Sequence, residues 1–125
     1  MTNQVPCFVD FRSVLKTRPR TVRRFFLAAL GGDVCVRKLN NIEKDLLDRS
    51  NTIEDGVEHA SFRSRLLCTI LCTSDGSPLF DIGNPDDVSL LDSLESDITD
   101  EIFSQWRKID KPEDAAAIEA AEKNS

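Results

Sequence analysis

The sequence predicts a mainly α fold: a small single domain of about four helices with one short β-hairpin and flexible termini. Apolar residues recur at helical spacing through residues 61–109, on both sides of a turn that contains glycine and proline. Gly31-Gly32 separates two short segments rich in apolar residues, as in a hairpin. The length of 125 residues suits one domain whose core needs neither a metal nor disulfides.

Both ends of the chain lie outside the predicted domain, which we place at residues 20–111. Residues 1–19 have weak periodicity and are interrupted by Pro6 and Pro19, so we expect a flexible basic arm. Residues 112–125 are rich in Ala and Glu. Because this segment contains a single large apolar residue, Ile118, we expect a flexible tail or a frayed helix.

The region around Gly31-Gly32 is compatible with two structures. Residues 21–30 are apolar and aromatic and residues 33–39 alternate, which fits a hairpin whose tight turn uses the positive φ of glycine. A helix over residues 22–30 that ends at a glycine C-cap fits the same composition. Of the two, we predict the hairpin.

The first helix of the predicted domain starts near Asn40 or Asn41, whose side chains can cap the free backbone N–H groups. Its apolar side consists of Ile42, Leu46 and Leu47.

A second helix is predicted over residues 61–72. Apolar residues cover most of its circumference except around Arg63 and Ser64, so we expect it to be the central, most buried helix. Asp75-Gly76 and Pro78 then interrupt the helical pattern.

The sequence Asn84-Pro85-Asp86-Asp87 is typical of a helix start, with Asn as the cap, Pro in the first turn and acids near the positive end of the dipole. From this start the chain forms either one long helix or two with a break near residues 95–97. The later part is strongly amphipathic, with Ile98, Ile102, Phe103, Trp106 and Ile109 on one face.

Charge is distributed unevenly along the chain, although the net charge is only −6. Residues 1–40 contain eight Lys or Arg and two Asp, a net of +6, whereas residues 41–125 have a net of −12. Nine acids lie within residues 75–101, and no basic residue occurs between Arg65 and Arg107. The basic residues 1–40 and the acidic remainder form either two solvated surfaces of opposite sign or surfaces through which one copy attracts the next head to tail.

Groups capable of catalysis or metal binding do not form a known pattern. Cys68, Cys72 and His59 could approach a metal, but a structural zinc site needs four ligands and usually C-x2-C turns. We therefore predict reduced cysteines, no metal and no cofactor. No nucleophile or orienting acid accompanies His59, and no glycine-rich phosphate loop is present, so an enzyme is not expected.

Two groups of residues are candidates for partner binding. Arg20, Arg23 and Arg24 lie close enough in sequence to contact several phosphates or a protein surface, although the acidic remainder of the chain would repel DNA. Phe103 and Trp106 are large aromatics on one helix face, where they serve either as interface anchors or as core residues.

The order of these elements resembles the tail assembly chaperones of long-tailed bacteriophages. The resemblance covers roughly residues 20–110 and is carried by the alternating residues 34–39, the short polar helix at 41–45, the helix headed by Phe62-Arg63, the turn at 75–80 and the acidic helical stretch after it. Residues 25–30 depart from the family pattern because they are more aromatic and apolar.

The resemblance implies a function. Tail assembly chaperones multimerise on the tape measure protein, keep it soluble, recruit tail tube subunits and leave the finished tail. It also favours a break near residues 95–97, because the family has a short helix followed by a longer one. A programmed frameshift often extends these chaperones, and the A-rich codons possible at Lys123-Asn124 would permit one.

We therefore expect a protein of the host bacterial cytoplasm, with no signal peptide, no membrane segment and no place in the mature virion. Two alternatives belong to other classes. One is a small phage or bacterial regulator that binds nucleic acid through its basic arm, and the other is a minor adaptor protein of the virion.

Overall fold

A computed structural model of the chain describes residues 9–50 and 62–112. This part contains five helices and a three-stranded antiparallel sheet of order β1-β2-β3, and it is 54% helical and 16% strand. The prediction of a mainly α domain with about four helices and a lone hairpin is therefore wrong, and the fold is mixed α/β. In chain order the elements are α1 (Phe11–Thr17), β1 (Val22–Leu27), β2 (Gly32–Arg37), α2 (Asn41–Ser50), α3 (Phe62–Ile70), β3 (Leu71–Cys72), α4 (Pro85–Asp92) and α5 (Ser96–Asp110).

The hairpin is confirmed. Strands β1 and β2 pair antiparallel from Val22 opposite Arg37 to Leu27 opposite Gly32. The turn has four residues, in which the N–H groups of Leu30 and Gly31 donate to the Leu27 carbonyl. Gly31 alone of the pair has positive φ, at 71°, so the first glycine makes the turn and the second already belongs to β2.

The predicted start of α2 is confirmed. The Asn40 side chain accepts from the Glu43 N–H at 3.0 Å, and the Glu43 carboxylate accepts from the Asn40 N–H at 2.9 Å, a reciprocal cap. The predicted apolar side is only partly buried: Leu47 lies in the core, whereas Ile42 and Leu46 are exposed. A helix that packs against one neighbour, here α3, buries only the side chains that point toward it.

The central position of α3 is confirmed, since it packs against α2, α4 and α5. The helix ends at Ile70, two residues earlier than predicted, and Leu71 and Cys72 pair with β2 as strand β3. The prediction that Ser64 lies on a polar gap is wrong. Ser64 is buried because its hydroxyl donates to the Asp92 carboxylate of α4.

The second half of the domain has the predicted capping pattern. The Asn84 side chain accepts from the Asp86 N–H, and Pro85 is the first residue of α4. Helix α4 ends at Asp92 and α5 begins at Ser96, so the predicted break is confirmed.

The core lies between the sheet and the helices, with α5 packed against β1 and β2 and also against α3. Its fully buried residues come from three different elements, so no single amphipathic face accounts for it. They are Val36, Leu67, Cys68, Ile70 and Ile102.

Candidate functional site

An open groove of about 630 Å³ separates α2 from the start of α3 and the end of α5. We call it the apolar groove. Leu47 and Leu66 are buried at its base, and Leu39, Phe62 and Trp106 are less buried and form its walls. Basic side chains predominate among the charged groups around it, which are Lys44, Arg107, Lys111 and Asp110. Its volume is in the range of small-molecule pockets, but its open form suits a helix better.

Trp106 is fixed in the wall of this groove. Its indole N–H donates to the backbone carbonyl of Arg37, the last residue of β2, with the nitrogen 3.0 Å from the oxygen. The ring packs against the core and also lines the groove. Both roles that its sequence context left open, core residue and interface anchor, therefore fit its position.

An ion cluster of Arg20, Arg37 and Glu43 lies next to the groove and connects β2 to α2. The Glu43 carboxylate lies 2.6 Å from Arg20 Nη2 and 3.0 Å from Arg37 Nη1. Arg37 is buried and also donates to the carbonyls of Thr69 and Gly76, at 2.9 and 3.1 Å. The guanidinium of Arg37 thus ties β2 to the end of α3 and to the turn after β3.

Burial and charge act in opposite directions on this cluster. Burial lowers the pKa of Arg37, and the Glu43 charge only partly restores it. Burial alone would raise the pKa of Glu43, but hydrogen bonds from Arg20 and the Asn40 N–H and the charge of Arg37 outweigh it, so the pKa lies below its ordinary value. The cluster therefore favours the charged form of Glu43, whereas burial acts against the charge of Arg37.

The three arginines predicted for partner binding do not form one surface. Arg20 pairs with Glu43, the Arg23 side chain donates to Gln105 of α5, and Arg24 pairs with Asp33 in the hairpin. Arg23 and Arg24 are consecutive in β1, so their side chains lie on opposite faces of the sheet.

The other two predicted binding residues, Phe103 and Trp106, differ in how far they are exposed. Phe103 is 6% exposed and belongs to the core, with the Arg63 guanidinium 5.3 Å above its ring. Trp106 is the member of the pair that reaches the groove. Residues three positions apart are neighbours on a helix face, so Phe103 lies beside Trp106 on α5, the first in the core and the second at the groove.

The described cysteines lie in or beside the core. Cys68 and Cys72 are buried, and burial raises the pKa of each thiol to about 11. The predicted helix over residues 61–72 would have placed them one helical turn apart, but α3 ends between them and Cys72 lies in β3. No group of three or more His, Cys, Asp or Glu within residues 9–50 and 62–112 could hold a metal. Cys7, His59 and residues 113–125 of the predicted tail lie outside the described residues.

Helix α1, within the predicted arm, exposes all of its residues. It begins after Asp10, whose side chain accepts from the Ser13 N–H, and Phe11 and Leu15 are 71% and 68% exposed one turn apart. Arg12 and Lys16 give the same short helix a positive charge.

The opposite charge is found on α4 and the first half of α5, where the exposed carboxylates are Asp86, Asp92, Glu95, Asp97, Asp100 and Glu101. We call the latter the acidic surface.

Sequence reasoning missed Leu39, Phe62 and Glu43 as parts of this site. Glu43 had a signal, because Asn40-x-x-Glu43 is a variant of the capping-box pattern. Leu39 and Phe62 had none, since each stands at the edge of a predicted element and acquires its role only where α2, α3 and α5 meet.

Comparisons with protein-family models, with curated proteins and with solved structures found no match. Within the described part of the chain, no helix combines the length and the apolar character needed to cross a bilayer.

Proposed function

We propose that this protein is a tail assembly chaperone of a long-tailed phage that acts in the host bacterial cytoplasm. It binds apolar helical segments of the tape measure protein, multimerises along it and recruits tail tube subunits. The observation that carries the proposal is the apolar groove, which leaves Phe62 48% exposed beside Trp106. Exposed apolar surface of this kind is typical of a site for another protein.

The groove fits an amphipathic helix with acidic flanks. A helix that lays apolar residues at i, i+3, i+4 and i+7 against Leu39, Phe62 and Trp106 would place its polar edges beside Lys44, Arg107 and Lys111. Acidic residues at those edges would be attracted to the three basic groups and would set the orientation of the helix. A tape measure protein exposes long apolar helical surface before the tube encloses it, and this surface aggregates unless it is covered.

Multimerisation is supported by α1 and the acidic surface. A seven-residue helix with exposed Phe11, Val14 and Leu15 buries no side chain in its own molecule. On α4, Leu90 is exposed beside the acidic surface, and residues 66–106 contain no Lys or Arg. The Arg63 guanidinium of α3 pairs with Asp100 there, which leaves the other carboxylates of this surface in excess. Helix α1 of one copy can therefore pair its basic and apolar groups with the acidic surface of the next, a head-to-tail contact that repeats along a filament.

A co-expression experiment tests the chaperone proposal. The chain is expressed with and without the tape measure protein of the same genome, and soluble tape measure protein is measured after centrifugation. We expect the chain to keep the tape measure protein soluble and to co-purify with it. Insoluble tape measure protein at equal expression levels, with no complex, would refute the proposal.

Two matched substitutions locate the binding surface. Phe62→Asp places a charge in the wall of the apolar groove, and Phe26→Asp places the same charge on an exposed phenylalanine of β1 that does not line it. Phe62→Asp should weaken retention of the tape measure protein at least tenfold, whereas Phe26→Asp should bind as the parent does. Circular dichroism of both variants checks that they are folded. Equal binding by both variants would show that the groove is not the site.

A further inference from the structure

Cys35 of β2 and Cys72 of β3 are directly opposite each other in the antiparallel ladder. Both are free thiols, Cys72 almost fully buried and Cys35 partly exposed. Residues directly opposite in antiparallel strands have Cα atoms about 4.5 or 5.5 Å apart, and their side chains lie on the same face of the sheet. Both distances are within the range of about 4.4–6.8 Å that disulfides span.

From this register we propose that Cys35 and Cys72 form a cross-strand disulfide when the protein meets a peroxide. The proposal does not depend on the proposed function. In the first step the sulfur of Cys35 attacks the peroxide, giving a sulfenic acid and water when the peroxide is hydrogen peroxide. In the second step the Cys72 sulfur displaces the hydroxyl group of that sulfenic acid, which leaves as a second water. Two thiols are oxidised, and the peroxide is reduced.

The surroundings of the two thiols assign the order of these steps. Burial, and then the neighbouring Cys35, raise the pKa of Cys72 to about 11, although the positive charges of Arg37 and Arg20 act against this. Cys72 is therefore a protonated, enclosed thiol at neutral pH and reacts slowly with a dissolved oxidant. Cys35 is the more accessible of the two, and once it is oxidised the resolving sulfur is already beside it.

The disulfide would join β2 covalently to β3, the shortest strand of the sheet. Strand β3 has only two residues, so its pairing with β2 consists of Cys35 opposite Cys72 and Val36 opposite Leu71. A disulfide there would fasten the end of α3, and the turn after β3, to the hairpin. Cys68 has no such neighbour in the sheet, because it lies on α3 in the core.

The test uses the full-length reduced protein and hydrogen peroxide in small molar excess. Thiols are counted in denaturant before and after treatment, and tryptic peptides are analysed by mass spectrometry without reduction. We expect a loss of two of the four thiols and a cross-link between peptides 25–37 and 66–107. A parent protein that keeps four thiols, or that joins Cys7 to either partner instead, would overturn the proposal.

Cysteine variants show whether Cys68 or Cys72 is cross-linked to Cys35, because trypsin leaves Cys68 and Cys72 in one peptide. Cys68→Ser should keep the cross-link, whereas Cys35→Ser and Cys72→Ser should lose it. Cys35→Ser changes a partly exposed position, so it remains informative if the buried Cys72→Ser does not fold. The oxidised parent should melt at a higher temperature than the reduced protein and return to the reduced value with dithiothreitol. A cross-link through Cys68, or one that lowers the melting temperature, would contradict the native register.

Discussion

The indole N–H of Trp106 donates to the backbone carbonyl of Arg37, joining the last turns of α5 to the end of β2. The same Arg37 points its side chain into the ion cluster with Glu43. One residue of β2 therefore connects the wall of the apolar groove to the cluster behind it. Substitutions in either place should affect both the stability of the fold and the shape of the groove.

The first prediction concerns this hydrogen bond. Trp106→Phe keeps an aromatic ring but leaves the Arg37 carbonyl without its indole donor, so the free energy of unfolding should fall by about 1–2 kcal/mol. Trp106→Ala also removes the packing of the ring and should cost about 3–5 kcal/mol. Both substitutions remove the sole tryptophan and therefore its fluorescence signal, so urea unfolding of the variants is followed by circular dichroism. Unchanged stability in Trp106→Phe would show that the hydrogen bond contributes nothing.

A second prediction compares two ion pairs of different burial. Glu43→Ala leaves Arg37, which is 6% exposed, without its carboxylate and should lower the free energy of unfolding by about 3 kcal/mol. Asp33→Ala removes the exposed pair with Arg24 and should cost less than about 1 kcal/mol. The same urea titration compares them. Equal losses would mean that burial of the cluster is energetically unimportant.

The pH dependence of stability gives a third prediction. Because the folded-state pKa of Glu43 lies below its unfolded value of about 4.3, the unfolded state binds more protons in this range. The stabilisation by Glu43 is therefore complete above about pH 4.3 and is lost as the pH falls through the folded-state pKa. Glu43→Gln should be less stable than the parent near neutral pH, and thermal melts of the two should converge in acid. A constant difference at every pH would contradict this.

A fourth prediction is that alanine substitution has opposite effects on stability at Gly76 and at Gly32. Gly76 has φ of 90°, and a Cβ there would lie 3.1 Å from the Arg20 Cβ, so Gly76→Ala should destabilise the protein by at least about 1–2 kcal/mol. Gly32 has no positive φ and open space around it, so Gly32→Ala should be neutral or stabilising by roughly 0.5 kcal/mol. Thermal unfolding of the two variants tests this, and a stabilising Gly76→Ala would contradict the turn geometry.

The fifth prediction concerns self-association through α1. Light scattering coupled to size exclusion should show oligomers at low salt that dissociate as salt is raised, because screening weakens the attraction between α1 and the acidic surface. Phe11→Ser should shift the protein toward monomer, whereas Phe26→Ser, which is similarly exposed at 65%, should not. A strict monomer at high protein concentration and low salt would contradict the arrangement.

Local rules in the sequence determined much of the secondary structure. The Asn40 and Asn84 caps and the hairpin around Gly31 depend on residues within a few positions of one another, whereas the break before α5 was favoured by the family resemblance. Such contacts depend mainly on neighbouring residues, so they can be predicted from the sequence. The amphipathic pattern of α5 likewise grouped Ile102 and Phe103 on one helix face, and the structure buries both.

The tertiary structure decided what depends on distant partners. Leu71 and Cys72 continue a helical apolar pattern, yet they form β3 because the free edge of β2 supplies hydrogen bonds there. Ser64 is buried because Asp92 faces it, and Arg37 because Glu43, Thr69 and Gly76 converge on it. The apolar groove exists only where three helices diverge. Neither composition nor periodicity contains these long-range pairings. The sequence alone therefore predicted most of the helices and the hairpin, whereas the tertiary structure determined β3 and the site.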